Sequence, residues 1–97
     1  MTKPVVTLLT GPENFAVIHL RERRFPGVVV QGDSLNILVT RALHVARRAR
    51  TTRDADLVDE ADRLARSLVE IRRRYEGVMK RNKLELPYSK GVARRGR

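Results

Sequence analysis

The chain has no cysteine and no tryptophan, and only four of its 97 residues, two Phe and two Tyr, are aromatic. Without cysteine it can form no disulfide framework, no thiolate zinc site and no cysteine nucleophile. Its longest apolar run is far shorter than the roughly 20 residues of a membrane-spanning helix, and residues 1–4 lead into no signal-peptide core. We therefore expect a cytoplasmic protein that contacts no membrane, folded as a single α+β domain over residues 1–88.

The charge of the chain is strongly unbalanced, with 21 Lys and Arg against 11 Asp and Glu and a formal net charge of +10. Residues 1–50 carry eight basic and three acidic side chains, residues 51–70 three and six, and residues 71–97 ten and two. The excess is therefore concentrated in the C-terminal third. A surplus of this kind favours an anionic partner, such as a nucleotide, a nucleic acid or an acidic protein.

Three short segments of the N-terminal third have the pattern of β-strands. They are rich in β-branched or alternating apolar residues, and turn-forming residues such as Gly11-Pro12 separate them. The pattern predicts strands at about 5–10, 15–20 and 27–31. Because the links are short, we expect an antiparallel β-meander.

After residue 33 the apolar period changes from two to 3.6, which predicts helices at about 34–50 and 54–82. Asp33 or Ser34 is expected to cap the first helix. The expected fold is a three-stranded meander packed by an antiparallel helical hairpin, followed by a basic flexible tail over residues 89–97. The predicted apolar stripes are Leu35, Leu38, Ala42, Val45 and Ala49 on the first helix and Leu57, Ala61, Leu64, Leu68, Ile71, Tyr75 and Val78 on the second. Of these, Ile71, Tyr75 and Val78 are expected to extend beyond the first helix, which leaves them uncovered by it.

The run FPGVVVQGDSL at residues 25–35 resembles the central motif of a family of small bacterial and phage proteins of unknown function. The segments Asn14-Phe15-Ala16-Val17 and Leu84-Glu85-Leu86-Pro87-Tyr88 extend this resemblance over roughly residues 5–88. It implies a compact domain that folds alone. It transfers no activity, so function has to be argued from side-chain chemistry.

The segment Gly32-Asp33-Ser34-Leu35 is similar to the nucleophile block of the GDSL-type serine hydrolases. Those enzymes carry a later Asp-x-x-His pair, whereas no histidine follows His44 in this chain. Neither histidine has a second ligand at metal spacing. We therefore expect no catalytic activity, no metal and no cofactor, and a cap at the start of a helix is the simpler interpretation of the motif.

The hairpin would bring the start of the first helix close to the arginine-rich part of the second. Free N–H groups at a helix start and arginine guanidinium groups both bind phosphate. The leading hypothesis is therefore a non-enzymatic protein that binds a phosphorylated small ligand, a nucleotide or cyclic nucleotide. One biological role compatible with this hypothesis is that of a phage or bacterial sponge that sequesters a signal molecule. The candidate ligand-binding residues are Asn14, Gly32, Asp33, Ser34, Arg72, Arg73 and Tyr75.

Two other functions compete with ligand binding. One is a nucleic-acid-binding accessory protein, and the other is an inhibitor or immunity-like partner of an acidic protein. The residues that would contact nucleic acid are Arg74, Lys80, Arg81, Lys90, Arg94, Arg95 and Arg97. The apolar side chains of the second helix continue past the reach of the first, so we also expect a homo-oligomer, with a dimer as first choice.

Overall fold

A computed structural model describes residues 5–90 of the chain. The described residues fall into two compact units, which are divided between residues 31 and 32. Within residues 5–90, the first unit contains three strands and the second contains two helices. Apart from residues 89 and 90, the predicted tail lies outside the described residues. Within residues 5–90, neither helix combines the length and apolarity needed to cross a membrane.

The first unit is an antiparallel sheet of β1 (Val6–Leu8), β2 (Val17–Leu20) and β3 (Gly27–Val28), in that order. Thr7 pairs with His19, and Ile18 pairs with Gly27. The predicted meander is confirmed, although the strands are shorter than expected. β2 begins two residues late because Phe15 has a φ of 61°, a left-handed conformation that an extended strand cannot contain.

The second unit is an antiparallel pair of helices, α1 (Gly32–Ala49) and α2 (Ala55–Arg81). Asp54 caps α2, because its carboxylate accepts a 3.0 Å hydrogen bond from the N–H of Leu57. The predicted helical hairpin is therefore confirmed, and with it the α+β class. The start of α1 needs a correction, since the helix begins at Gly32 and places Asp33 and Ser34 inside the first turn instead of at the cap.

The two helices pack through an alanine face, which consists of Ala42, Ala46, Ala49, Ala61 and Ala65. Leu43, Val58 and Leu68 are partly buried beside it. An alanine side chain is a single methyl group, so the helices can approach closely along this face. Cross-helix contacts at both ends fix the register, with Arg50 2.9 Å from Asp62 and Arg72 2.8 Å from Asn36.

The predicted set of core residues was partly wrong. Leu35, Ala42, Ala49 and Ala61 are buried as predicted, but four larger side chains of the stripes, Leu38, Val45, Leu57 and Leu64, are exposed. The apolar residue that follows each of them, at positions 39, 46, 58 and 65, is buried or partly buried instead. Ile71 and Val78, which were expected to lie beyond the reach of the first helix, are exposed. Spacing alone could not distinguish two neighbouring apolar rows on the same helix.

Candidate functional site

The start of α1 is closed by an aromatic ring from α2. The Tyr75 ring lies directly against Gly32, so that a Cβ atom at position 32 would overlap with its hydroxyl and ring atoms. Glycine is needed here because only a residue without a side chain leaves room for the ring. The N–H of Ser34 donates a 2.8 Å hydrogen bond to the Asp33 carboxylate. The start of α1, where a phosphate was predicted to bind, is therefore occupied by the Asp33 carboxylate and the Tyr75 ring.

Arg72 joins the two helices beside this turn. Its Nη1 donates a 2.8 Å hydrogen bond to the side-chain oxygen of Asn36, and its Nε lies 3.9 Å from the Glu76 carboxylate. The side chains of Arg72 and Glu76 are both largely buried, with 24% and 18% exposed. The charge of Arg72 is thus balanced within the protein, and its guanidinium holds the hairpin register.

Glu76 is the centre of a polar cluster that sequence reasoning missed. The Tyr88 hydroxyl donates a 2.7 Å hydrogen bond to Glu76 Oε2, and Lys90 Nζ lies 3.5 Å from Glu76 Oε1. Burial raises the pKa of Tyr88 well above its ordinary value, and the bond to Glu76 raises it further. The available signal was that Glu76 is the only acidic residue between positions 71 and 84. Lys90, a candidate nucleic-acid contact, is engaged in this cluster.

Arg73 lies on a different side of α2 from Arg72, because successive residues of a helix are about 100° apart. Its guanidinium is 3.4 Å from Glu70, and both side chains are about 70% exposed. Asn14 lies in the turn before β2, in the first compact unit. Of the predicted ligand-binding residues, the structure brings Gly32 and Tyr75 into contact, with Arg72 one turn away on α2, while Arg73 faces elsewhere. Ligand binding by this set stays a prediction.

The outer side of α2 carries an exposed basic strip. Its members are Arg63, Arg66, Arg73, Arg74, Lys80 and Arg81. At 100° per residue, the five arginines lie on the half of the helix turned away from the alanine face, and Lys80 lies at the edge of that half.

Acidic side chains compensate little of the charge of the basic strip. Arg63 is 3.3 Å from Asp59 and Arg73 is 3.4 Å from Glu70. Exposed pairs of this kind contribute only about 0 to 1 kcal/mol, so they open readily for another anion. The other four members form no ion pair with any residue from 5 to 90. The strip therefore presents a surplus of positive charge to solvent.

Histidine, acidic and tyrosine side chains are the other groups of the described residues that could take part in binding or catalysis. His19 Nε2 lies 2.8 Å from the carbonyl oxygen of Arg23, in the link between β2 and β3. Across residues 5–90, no group of three His, Cys, Asp or Glu side chains is placed to hold a metal ion. The two tyrosines are half-buried and lie off the basic strip, so they offer it no stacking surface.

Comparison with known proteins gives a family without an assigned activity. No curated protein and no solved structure matches the chain. A family model described as a family of unknown function (DUF6959) matches residues 1–88, which confirms that the chain resembles an uncharacterised family over most of its length. The chain therefore belongs to the family of unknown function DUF6959.

Proposed function

We propose that this protein binds nucleic acid without sequence preference, through phosphate contacts along the basic strip of α2. The carrying observation is the exposure of six basic side chains on the outer side of one helix, four of them without an ion-pair partner among residues 5–90. Arginine suits this role because its fork of N–H groups matches the oxygens of a phosphate.

The dimensions of the strip support an extended anion over a small one. Residues 63 and 81 are separated by about 27 Å along the helix at 1.5 Å per residue. That length corresponds to about eight base pairs at 3.4 Å each. A mononucleotide would reach only a fraction of these charges. A phosphate backbone presents charges along the whole length of the strip.

The residues at the start of α1 give less support to a small phosphorylated ligand. Tyr75 covers Gly32, and Arg72 already contacts Asn36 and Glu76. A ligand there would have to displace the ring and replace the charge of Glu76. Ligand binding and the inhibitor role stay predictions. Calorimetry can distinguish binding of a small ligand from binding of nucleic acid.

The chemistry of the strip also indicates how nucleic acid would be bound. Sequence-specific binding needs base-edge contacts, and binding of single strands needs aromatic stacking surfaces. The strip offers charges and no ring, so we expect affinity to be dominated by counterion release and to fall steeply with salt. By their charge, Arg94, Arg95 and Arg97 of the sequence would add to this term.

The test is a titration of a fluorescent 20-base-pair duplex of random sequence at several salt concentrations. The strip variant is Arg66→Gln/Arg73→Gln/Lys80→Gln, and the control is Arg21→Gln/Arg23→Gln/Arg24→Gln, which removes the same charge from an exposed segment of the first unit. The binding constant falls as salt rises, and each lost phosphate contact should make the slope of log K against log salt less steep by about 0.9. We expect the strip variant to lose two to three contacts and the control to lose fewer than one.

If the strip variant and the control lost the same number of phosphate contacts, net charge alone would drive binding. The proposal would then be wrong. Calorimetry with a panel of nucleotides and cyclic nucleotides tests the competing hypothesis. Heat that is abolished by Arg72→Gln but not by the strip variant would favour a small-ligand site instead.

A further inference from the structure

The hairpin exposes a second apolar surface that its own helices do not cover. We call it the outer apolar face. Its members on α2 recur every seven residues, and its two members on α1 are also seven apart. They are Leu57, Leu64, Ile71, Val78, Leu38 and Val45, each between 41% and 57% exposed. Large apolar side chains grouped in this way usually mark an interaction surface.

The two rows of this face lie on the same side of the hairpin. A seven-residue repeat drifts by only about 20° per repeat, so the four α2 side chains stay within about 60° of arc. Each row is rotated in the same sense from the alanine face of its own helix, and the helices are antiparallel, so both rows point to one side. The contacts of Arg50 with Asp62 and of Asn36 with Arg72 place Leu38 level with Ile71 and Val45 level with Leu64.

We propose that a second copy of this chain covers the outer apolar face, with α2 packed antiparallel to the partner's α2. A row that repeats every seven residues stays on one side of a helix, so a partner helix can pack along its length. The row is symmetric about the midpoint between residues 67 and 68. A two-fold axis at that point places Leu57 against the partner's Val78 and Leu64 against the partner's Ile71, and so pairs every member of the row.

The charges of α2 favour the antiparallel arrangement. Its first half, residues 55–68, carries four acidic and two basic side chains, whereas residues 69–81 carry two acidic and five basic ones. Two copies in opposite directions place each acidic half beside a basic half, whereas parallel copies would place like charges together. Beside the apolar row, Glu60 comes level with the partner's Arg74, and Asp56 lies near the partner's Arg81.

The size of the face is sufficient for a reversible dimer. The α2 row extends about 32 Å from residue 57 to residue 78, and two adjacent helices are about 20 Å wide. The resulting patch of about 600 Å² per copy, or about 1,200 Å² in total, is at the lower end of stable protein interfaces. Arg66, Arg73 and Lys80 of the basic strip point away from this face, so they stay accessible in the dimer. Arg74 and Arg81 lie at the edge of the interface instead.

The first experiment is to measure the mass in solution at about 100 µM by light scattering. Leu64→Asp places a charge in the middle of the face and should convert the dimer to a monomer. Ile37→Asp is the matched control, because Ile37 is 53% exposed against 57% for Leu64 but lies about 100° around α1 from Leu38. A monomeric native protein, or a Leu64→Asp variant that is still dimeric and folded by circular dichroism, would overturn the proposal.

The second experiment tests the antiparallel register by exchanging charges. Glu60→Arg and Arg74→Glu should each weaken the dimer at least tenfold, because each places like charges together twice. The double variant Glu60→Arg/Arg74→Glu restores both pairs across the two-fold axis and should recover most of the affinity. Additive losses in the double variant would exclude this register.

The absence of cysteine from the sequence allows a third, independent check. Ser67→Cys places a thiol beside the proposed two-fold axis, and mild oxidation should give a covalent dimer in high yield. Thr40→Cys is the control, since position 40 is exposed and about 150° around α1 from the outer apolar face. Equal crosslinking at the two positions would indicate random collision and contradict the proposed interface.

Discussion

The hairpin has two apolar faces, and they differ in the size of the side chains that form them. The alanine face buries residues that are 4–7% exposed, whereas the outer apolar face leaves Leu, Ile and Val side chains about half exposed. Small side chains allow the helices to approach closely but remove little apolar surface from water, about 0.8 kcal/mol for each methyl group. The comparison indicates that close packing holds the hairpin together, while larger apolar side chains stay exposed on another face.

Opposite substitutions at the neighbouring positions 64 and 65 should give the largest contrast between the faces. Ala65→Leu forces three extra carbon atoms into a closely packed seam and should lower the free energy of unfolding by about 1–3 kcal/mol. Leu64→Ala at low micromolar concentration, where a weak dimer dissociates, should change it by less than about 0.5 kcal/mol. Urea denaturation of both variants measures this contrast, and similar losses would show that the faces are not distinct.

Substitutions of Gly32 and Tyr75 test whether close approach of the two helices also matters where α1 begins. Gly32→Ala should lower the free energy of unfolding by about 1 kcal/mol, because the added methyl group displaces the Tyr75 ring. In a Tyr75→Ala background the same change should raise stability by about 0.5–1 kcal/mol, since alanine is the better helix former. This reversal of sign in a double-mutant cycle is the result to look for. The same sign in both backgrounds would mean that the ring does not control this position.

The Glu76 cluster shows how much a polar contact, compared with the two apolar faces, contributes to stability. Tyr88→Phe removes the hydrogen bond to Glu76 and should cost about 1 kcal/mol. Tyr75→Phe is the control, because the Tyr75 hydroxyl makes no hydrogen bond within residues 5–90. A loss of equal size in the control would mean that the hydroxyl contact of Tyr88 contributes nothing specific.

The same tyrosine should give the protein an alkaline pH dependence. The pKa of Tyr88 is raised in the folded state, so the folded protein holds this proton at a pH where the unfolded chain, with a tyrosine pKa of about 10, releases it. Its contribution is complete below pH 10 and is lost as the pH rises above that value. Denaturation curves between pH 9 and pH 11 should show this fall in the native protein and a smaller fall in Tyr88→Phe.

The smallest expected effect is at the end of α2, beyond both apolar faces. Lys83 has a φ of 57°, and the N–H of Leu84 donates to the carbonyl of Met79 in the usual helix-ending motif. Lys83→Gly relieves the left-handed strain. In denaturation experiments it should raise the free energy of unfolding by about 0.5–1 kcal/mol. Lys80→Gly, one turn earlier inside the helix, should lower it by about 1 kcal/mol. Destabilisation at both positions would contradict the strain argument.

Much of the fold was predictable, and the polar arrangement was not. The apolar periods located three strands and two helices to within a few residues, because alternation and 3.6-residue spacing are local properties. The exceptions have identifiable causes, such as the left-handed Phe15 that delays β2. The role of Glu76 could not be predicted, since its partners Tyr88 and Lys90 reach it only after the chain has turned back along α2.

The candidate site shows the same limit. Sequence reasoning placed the start of α1 beside the arginine-rich part of α2, since an antiparallel hairpin with a short link requires it. It did not show that Tyr75 would fill the space over Gly32 or that Arg72 and Arg73 would serve different sides of the helix. Those facts depend on the rotation of α2 about its own axis, which no local pattern sets.

By itself, then, the sequence determined the order and type of the elements and the excess of positive charge near the C-terminus, because these follow from composition and short-range spacing. Only the tertiary structure decided which of two adjacent apolar rows is buried and which arginines face solvent. The physical reason is that alanine and leucine rows satisfy the same helical period. Packing selects between them by how closely two helices can approach, and that selection leaves the larger side chains and the basic strip exposed.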